Sequence, residues 1–234
     1  MTTVLLVRHG LTAATGSVLV GWTPGVHLDE RGRAQADALA RRLAPVPLAA
    51  VVSSPLERCL DTAAALAAGR AAPAGGVSVD ERLGECRYGD WTGQELRRLA
   101  KDPLWRVVQV HPSAAVFPGP DGEALRDTQT RAVDAIRDWN ARLGRDATYL
   151  ACSHGDVIKA IVADALGVHL DLFQRITVDP CSLTVIRYTE LRPFVARLND
   201  TGGAVDDLLP PRHRGRRRKA ASDAVVGGGT GTPT

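Results

Sequence analysis

Two histidines in this chain stand where an imidazole can do chemistry. His9 ends an apolar run at residues 4–7 followed by Arg8, and His154 ends another at residues 149–152 followed by Ser153; glycine comes next in both cases, as Gly10 and Gly155. A side chain at the end of a buried strand sits on the rim of a sheet, where loops carry binding and catalysis, and glycine lets backbone approach a ligand closely. Arg8 adjoins the first histidine, and Arg58 falls in the first turn of a helix that follows Ser53-Ser54-Pro55. Two guanidinium forks meeting two imidazoles at one rim suit a phosphate, whose oxygens accept paired N–H donors. His27, His111, His169 and His213 lack this setting and read as surface or satisfied core residues.

The elements that must position these groups alternate. Short apolar strands are expected at residues 4–7, 49–52 and 149–152, each too continuous in its hydrophobicity for a sheet with one wet face. Helices are expected between Asp29 as N-cap and Pro45 as stop, over residues 56–68 with Pro55 near the first helical position, over 123–143, and over 157–166 closed by Gly167. Residues 177–178, 183–188 and 194–198 read as further strands. Strand–helix alternation of this kind predicts an α/β fold, a three-layer α/β/α sandwich around a mostly parallel central sheet. Sequential parallel strands tend to be neighbours, which would gather the rim residues in one place.

Composition agrees with a globular domain: 234 residues, 44% hydrophobic, 24% charged, with no run long enough to cross a membrane and no basic-then-apolar leader at the start, so a cytoplasmic location is expected. Cys59, Cys86, Cys152 and Cys181 are scattered and read as reduced thiols, neither a disulfide framework nor a zinc site. Lys occurs only at 101, 159 and 219, so nearly all of the 29 basic residues are Arg, a bias that genomic base composition explains as readily as phosphate binding. A domain at residues 1–198 is expected, with residues 92–123 as a cap or substrate-selecting insertion in which Trp105, Val107, Val108, Val116 and Phe117 offer apolar surface or core packing. Residues 199–234, rich in Arg and Gly, are expected to form a disordered tail, since so few apolar groups cannot offset ordering entropy.

The combination of motifs resembles a family. Leu5-Leu6-Val7-Arg8-His9-Gly10, Leu28-Asp29-Glu30-Arg31-Gly32 with Gln35-Ala36, Ser53-Ser54-Pro55-Leu56 with Arg58 and Thr62-Ala63, Glu85 with Gly89, Trp91 and Gly93, and Ser153-His154-Gly155 follow the order and spacing of the histidine phosphatase superfamily. The branch is the one similar to cofactor-dependent phosphoglycerate mutase, which includes small cytosolic phosphatases and actinobacterial phosphomutase-like proteins.

The resemblance implies that His9 accepts the phosphoryl group as phosphohistidine, that Arg8, Arg58 and His154 hold the phosphate, and that Glu85 protonates the leaving oxygen and then activates water. It also implies that Gly10, Thr15, Gly21, Tyr88 and Gly155 border the substrate. Neither a metal nor a cofactor is expected; the partner is a small phosphorylated metabolite, with no membrane and no specific nucleic acid, and a homo-oligomer is left open. A protonated His154 would bind phosphate better, which points to a mildly acidic optimum.

The chain departs from the pattern at Thr15, where many relatives carry Asn. It also carries Leu96 where mutases of this branch have a lysine, and Cys86-Arg87 where they have Arg-His. A mutase must grip a second phosphate, so these changes favour hydrolysis of a phosphomonoester. The rival reading is a phosphomutase or phosphotransferase using Arg87, Arg97 and Arg98, and a third is a non-catalytic phospho-ligand binder.

Overall fold

Alternate residues of the first strand enter two different hydrophobic cores, and that alternation organises the molecule. In a computed structural model that describes residues 1–70, 76–203, 205 and 209, β1 (Thr2–Arg8) sends Val4 and Leu6 to one face of the sheet and Leu5 and Val7 to the other, all fully buried. Helices α1 (Glu30–Leu43) and α2 (Glu57–Ala67) cover the second face; α5 (Leu125–Leu143) and α6 (Gly155–Leu166) cover the first. The remaining strands are β2 (Val51–Ser53), β3 (Val77–Val79), β4 (Thr148–Ser153), β5 (Leu183–Tyr188) and β6 (Pro193–Asp200), in the order β3-β2-β4-β1-β5-β6. The first four of that order run parallel, and β5 and β6 run antiparallel. The expected three-layer sandwich with a mostly parallel sheet is what forms.

Two connections place the rim. From β1 the chain crosses through α1 to β2, on the far side of β4; from β4 it crosses through α6 to β5, on the far side of β1. Crossovers leaving adjacent strands in opposite directions open a crevice beyond their C-terminal ends, the usual ligand position in open α/β sheets. The β1–β4 register ends on Arg8 opposite Ser153, so His9 and His154 leave the sheet side by side.

Several elements differ from the sequence expectation. Pro55 precedes α2 rather than entering it, because Leu56 is the extended N-cap residue. α6 begins at Gly155 with His154 as its N-cap, a turn's edge earlier than an apolar pattern can show. Residues 177–178 form no strand; they belong to a loop whose Val178 carbonyl is taken by Arg8. β3 is a three-residue edge strand, too short to leave a periodic signal. Within residues 92–123, the short helices α3 (Leu96–Leu99) and α4 (Pro103–Val110) pack inward: Trp105 stacks on Trp91 at 6.2 Å, Val108 and Phe117 are buried, and Val116 stays exposed. The four cysteines are free and buried. The last strand runs to Asp200, which pairs with Arg42 at 2.5 Å. Most of the tail expected at 199–234, His213 included, lies outside the described residues. Among the described residues no helix is long and apolar enough to cross a membrane.

Candidate active site

Arg58 ties the site together. Projecting from the first turn of α2, it is 2% exposed. Its Nε donates to His9 Nε2 at 3.3 Å, its Nη2 to the Gly21 carbonyl at 2.8 Å, and Nη2 also lies 3.3 Å from His154 Nδ1. The rings of His9 and His154 stand edge to face, 5.3 Å between centroids. The two imidazoles and Arg58 therefore converge although the sequence separates them widely.

The hydrogen bonds fix the tautomers. His9 Nδ1 lies 2.8 Å from the Gly10 carbonyl, which only accepts, so Nδ1 carries the proton and Nε2 keeps its lone pair. Burial, then Arg58, hold the His9 pKa down to about 3, so the ring is neutral and nucleophilic at physiological pH. Arg58 only donates, which makes His154 Nδ1 an acceptor and leaves its Nε2–H to donate to Ser54 Oγ at 2.8 Å. His154 is fully buried, and burial followed by Arg58 pushes its pKa well below the usual value. The protein surroundings thus keep it neutral, against the protonated form on which the acidic optimum was argued.

Glu85 reaches the site from a loop clamped by Arg131 of α5, whose guanidinium donates to the carbonyls of Arg82, Gly84 and Glu85 at 2.7–2.9 Å. Its Oε1 accepts from the Cys86 N–H at 3.0 Å, and its Oε2 lies 3.7 Å from His154 Nδ1. Burial, with Asp156 adding like-charge repulsion, raises its pKa from the usual 4.5 to about 7. A carboxyl group at that value gives and takes protons near neutrality. If Glu85 is the proton donor that the resemblance implies, kcat/KM is expected to fall as pH rises above about 7, approaching tenfold per unit. Glu85→Gln is expected to remove that alkaline limb and lower kcat/KM at pH 6 by about 100-fold. Stability also falls with rising pH. A folded pKa above the unfolded one means that folding favours the protonated carboxyl, so stability declines as pH rises from 4.5 to about 7 and stays reduced above. The glutamine variant should therefore unfold at higher urea at pH 8, by about 3 kcal/mol, and match the parent near pH 4.5.

His9, Arg58 and Glu85 border a cleft of about 430 Å³ whose wall also includes Arg8, Thr15, Gly21, Tyr88, Leu96 and Gly155; His154, expected to hold the phosphate, is fully buried behind that wall, with its ring nitrogens on Arg58 and Ser54. Arg8 Nη1 donates to the Val178 carbonyl at 2.7 Å, but Arg8 Nε and Arg58 Nη1 are buried N–H donors without a protein partner. Such donors are costly unless an acceptor meets them, and an oxyanion in the cleft would do so. The N-terminus of α6 opens on the same space through Gly155, a favourable end for an anion. A hollow of about 510 Å³ lies elsewhere, by residues 44–51 and the end of α2. Its cation, Arg70, is spent on the carbonyls of Leu66, Val46 and Leu43.

The other expected residues divide. Thr15 is on the wall, but its hydroxyl accepts from the Thr12 N–H and shares a bond with the Thr12 hydroxyl, both at 3.0 Å. Gly21 adopts φ +54°, and its carbonyl holds Arg58. Tyr88 lines the cleft as expected and also packs edge-on against Phe117, with its hydroxyl donating to Asp156 at 2.9 Å. Gly10 is a correction. It is absent from the cleft wall, and a Cβ on it would stand 2.7 Å from the Gly32 carbonyl oxygen, so glycine is needed there for packing against α1. Gly10→Ala is expected to cost about 2 kcal/mol, read as a lowered urea midpoint.

Sequence reasoning missed Asp156, Lys159 and Gln174, which also line the cleft. Starting the helix at 157 hid the first two; once His154 is the N-cap, Asp156 and Lys159 fall on the Gly155 side of α6. His27, bonded to Asp61, and His111 and His169, beside Asp171, are exposed surface residues as expected.

A sequence profile of the histidine phosphatase superfamily (branch 1) matches residues 4–201. The chain belongs to this superfamily. Among its relatives in the superfamily, a glucosyl-3-phosphoglycerate phosphatase of Mycolicibacterium vanbaalenii is 33% identical over 71% of this chain and 75% of its own. Phosphoserine phosphatase 1 of Hydrogenobacter thermophilus is 30% identical over 86% and 93%. The solved structure of Bacillus stearothermophilus YhfR superposes with a TM-score of 0.77 at 31% identity, covering 86% of this chain and 98% of that one.

Proposed function

We propose that the protein is a histidine phosphatase that hydrolyses a small phosphomonoester in two displacements. His9 Nε2 attacks phosphorus and the bond to the leaving oxygen breaks, while Glu85 gives that oxygen its proton and releases the alcohol. The Glu85 carboxylate then takes a proton from water, whose oxygen attacks phosphorus; the bond to Nε2 breaks, inorganic phosphate leaves, and His9 and Glu85 return to their starting states. Arg8 and Arg58 neutralise the phosphoryl oxygens, and His154 holds Arg58 in place from behind. The observation that carries this reading is the meeting of a neutral His9 Nε2 with unpartnered guanidinium N–H groups beside a carboxyl poised near pH 7. The phosphatase names of the two relatives support the same chemistry.

Hydrolysis is favoured over phosphoryl transfer by the positions at which mutases of this branch grip a second phosphate. Leu96 stands on the cleft wall as an apolar group. Arg87 is stacked over Trp22 at 4.1 Å, and Arg97 is 92% exposed beside Glu95, so neither joins the wall to grip a second phosphate. The test is to incubate the protein in chelator with 3-phosphoglycerate and a bisphosphorylated primer. Free phosphate without 2-phosphoglycerate is the expected outcome; accumulation of 2-phosphoglycerate would make it a mutase, and no phosphate release from this substrate or from p-nitrophenyl phosphate would make it a binder. Phosphate release abolished by chelator would contradict the metal-free chemistry.

A further inference from the structure

A third cation stands on the cleft wall, and the two displacements above do not use it. Lys159 lies four residues after Gly155 on α6, so both occupy one helix face, separated by about 6 Å of rise. Long helical side chains lean toward the N-terminus, which carries the ammonium back toward the turn where Gly155 and Asp156 border the cleft. The side chain is 19% exposed, and its Nζ lies 3.4 Å from Asp156 Oδ1 and 3.2 Å from Gln174 Oε1. Both contacts are at the long end for hydrogen bonds, Asp156 already accepts the Tyr88 hydroxyl, and an ammonium has three protons to give.

Of the other carboxyl groups on the wall, Glu85 takes the Cys86 N–H, and Lys159 Nζ also lies 5.5 Å over the Phe173 ring. Asp179 is occupied by the Asn199 side-chain amide at 2.8 Å, and Val18, Val20 and Leu96 are apolar. An acidic group reaching Lys159 would replace long contacts with a charge-assisted bond in a partly desolvated setting, where such bonds are strong. With phosphate at Arg8, Arg58 and Gly155, the ammonium one helical turn away suits a molecule with two or three carbons between its phosphate and its acid.

We infer that Lys159, with Gln174 beside it, recognises a carboxylate on the leaving alcohol, so that the substrates are phosphomonoesters of small hydroxy acids. This rests on the phosphatase reading and narrows it. The test compares 3-phosphoglycerate with glycerol 3-phosphate, which has the same carbon skeleton and phosphate position but a hydroxymethyl in place of the carboxylate. In the parent enzyme the acid is expected to be the better substrate. In Lys159→Met the ratio of kcat/KM for the acid over the alcohol should fall at least tenfold, mainly through KM, with an unshifted melting temperature, and Lys159→Arg should keep the ratio within threefold of the parent. A ratio unmoved in Lys159→Met, equal losses on both substrates, or a parent enzyme that prefers glycerol 3-phosphate would each overturn the inference. A parent that cleaves p-nitrophenyl phosphate but neither of these compounds would also overturn it, leaving the phosphatase reading intact. A parent that releases phosphate from none of the three would overturn the phosphatase reading itself.

Discussion

Replacing His9 with asparagine is expected to lower kcat by about 10⁴-fold while leaving the protein folded. The asparagine amide can still donate to the Gly10 carbonyl, the bond that the imidazole Nδ1 makes at 2.8 Å, so the local backbone keeps its support. What disappears is the lone pair on Nε2, and with it the covalent route that splits one displacement into two. The residual arginines would still bind substrate, so KM should change far less than kcat. A fall in kcat below tenfold, measured by phosphate release with the purified variant, would contradict a nucleophilic His9.

The second large effect is expected at Arg58. Its guanidinium touches His9, His154 and the Gly21 carbonyl and keeps its Nη1 amino group without a protein partner, so in the proposed mechanism a single side chain both binds phosphate and orients the nucleophile. Arg58→Ala should lower kcat/KM by about 10³-fold, and Arg58→Lys should recover little of it, because a point charge reproduces neither the fork nor its three directions. The cost in stability is expected to be modest, within about 2 kcal/mol. The lost bond to Gly21 destabilises, while removal of a buried charge with an unpartnered N–H stabilises, each by a comparable amount. Removing this cation also releases one of the two largest causes of the depressed His9 pKa, which should rise; the acid limb of the pH profile should shift upward with it. Steady-state rates from pH 4 to 9, together with urea titrations, check both expectations.

The parts of this arrangement that were legible in the sequence are those written in local chemistry. A continuous apolar run, a histidine and a glycine mark a buried strand delivering an imidazole to a rim, and Asp29 marks the start of α1 because its carboxylate caps the Gly32 N–H at 2.8 Å. Adjacency of β1 and β4 was less accessible. It depends on pairing residues some 145 apart, Arg8 with Ser153, and nothing local encodes that register. The role of Gly10 was misread for a related reason: glycine next to a functional residue looks like room for a ligand, whereas the neighbour that needs the room is Gly32, which arrives from another element. Asp156 and Lys159 were hidden by a helix start placed too late, and the neutrality of His154 depends on burial and on Arg58, neither of which a sequence motif reports.

The central claim is covalent transfer to His9, and rapid acid-free quenching of the enzyme during turnover of ³²P-labelled substrate tests it most directly. The account predicts a protein-bound label that is labile in acid, stable in alkali and located on the peptide containing His9. It also predicts no label in His9→Asn. Active enzyme that carries no label during turnover, or a label that persists in His9→Asn, would contradict it.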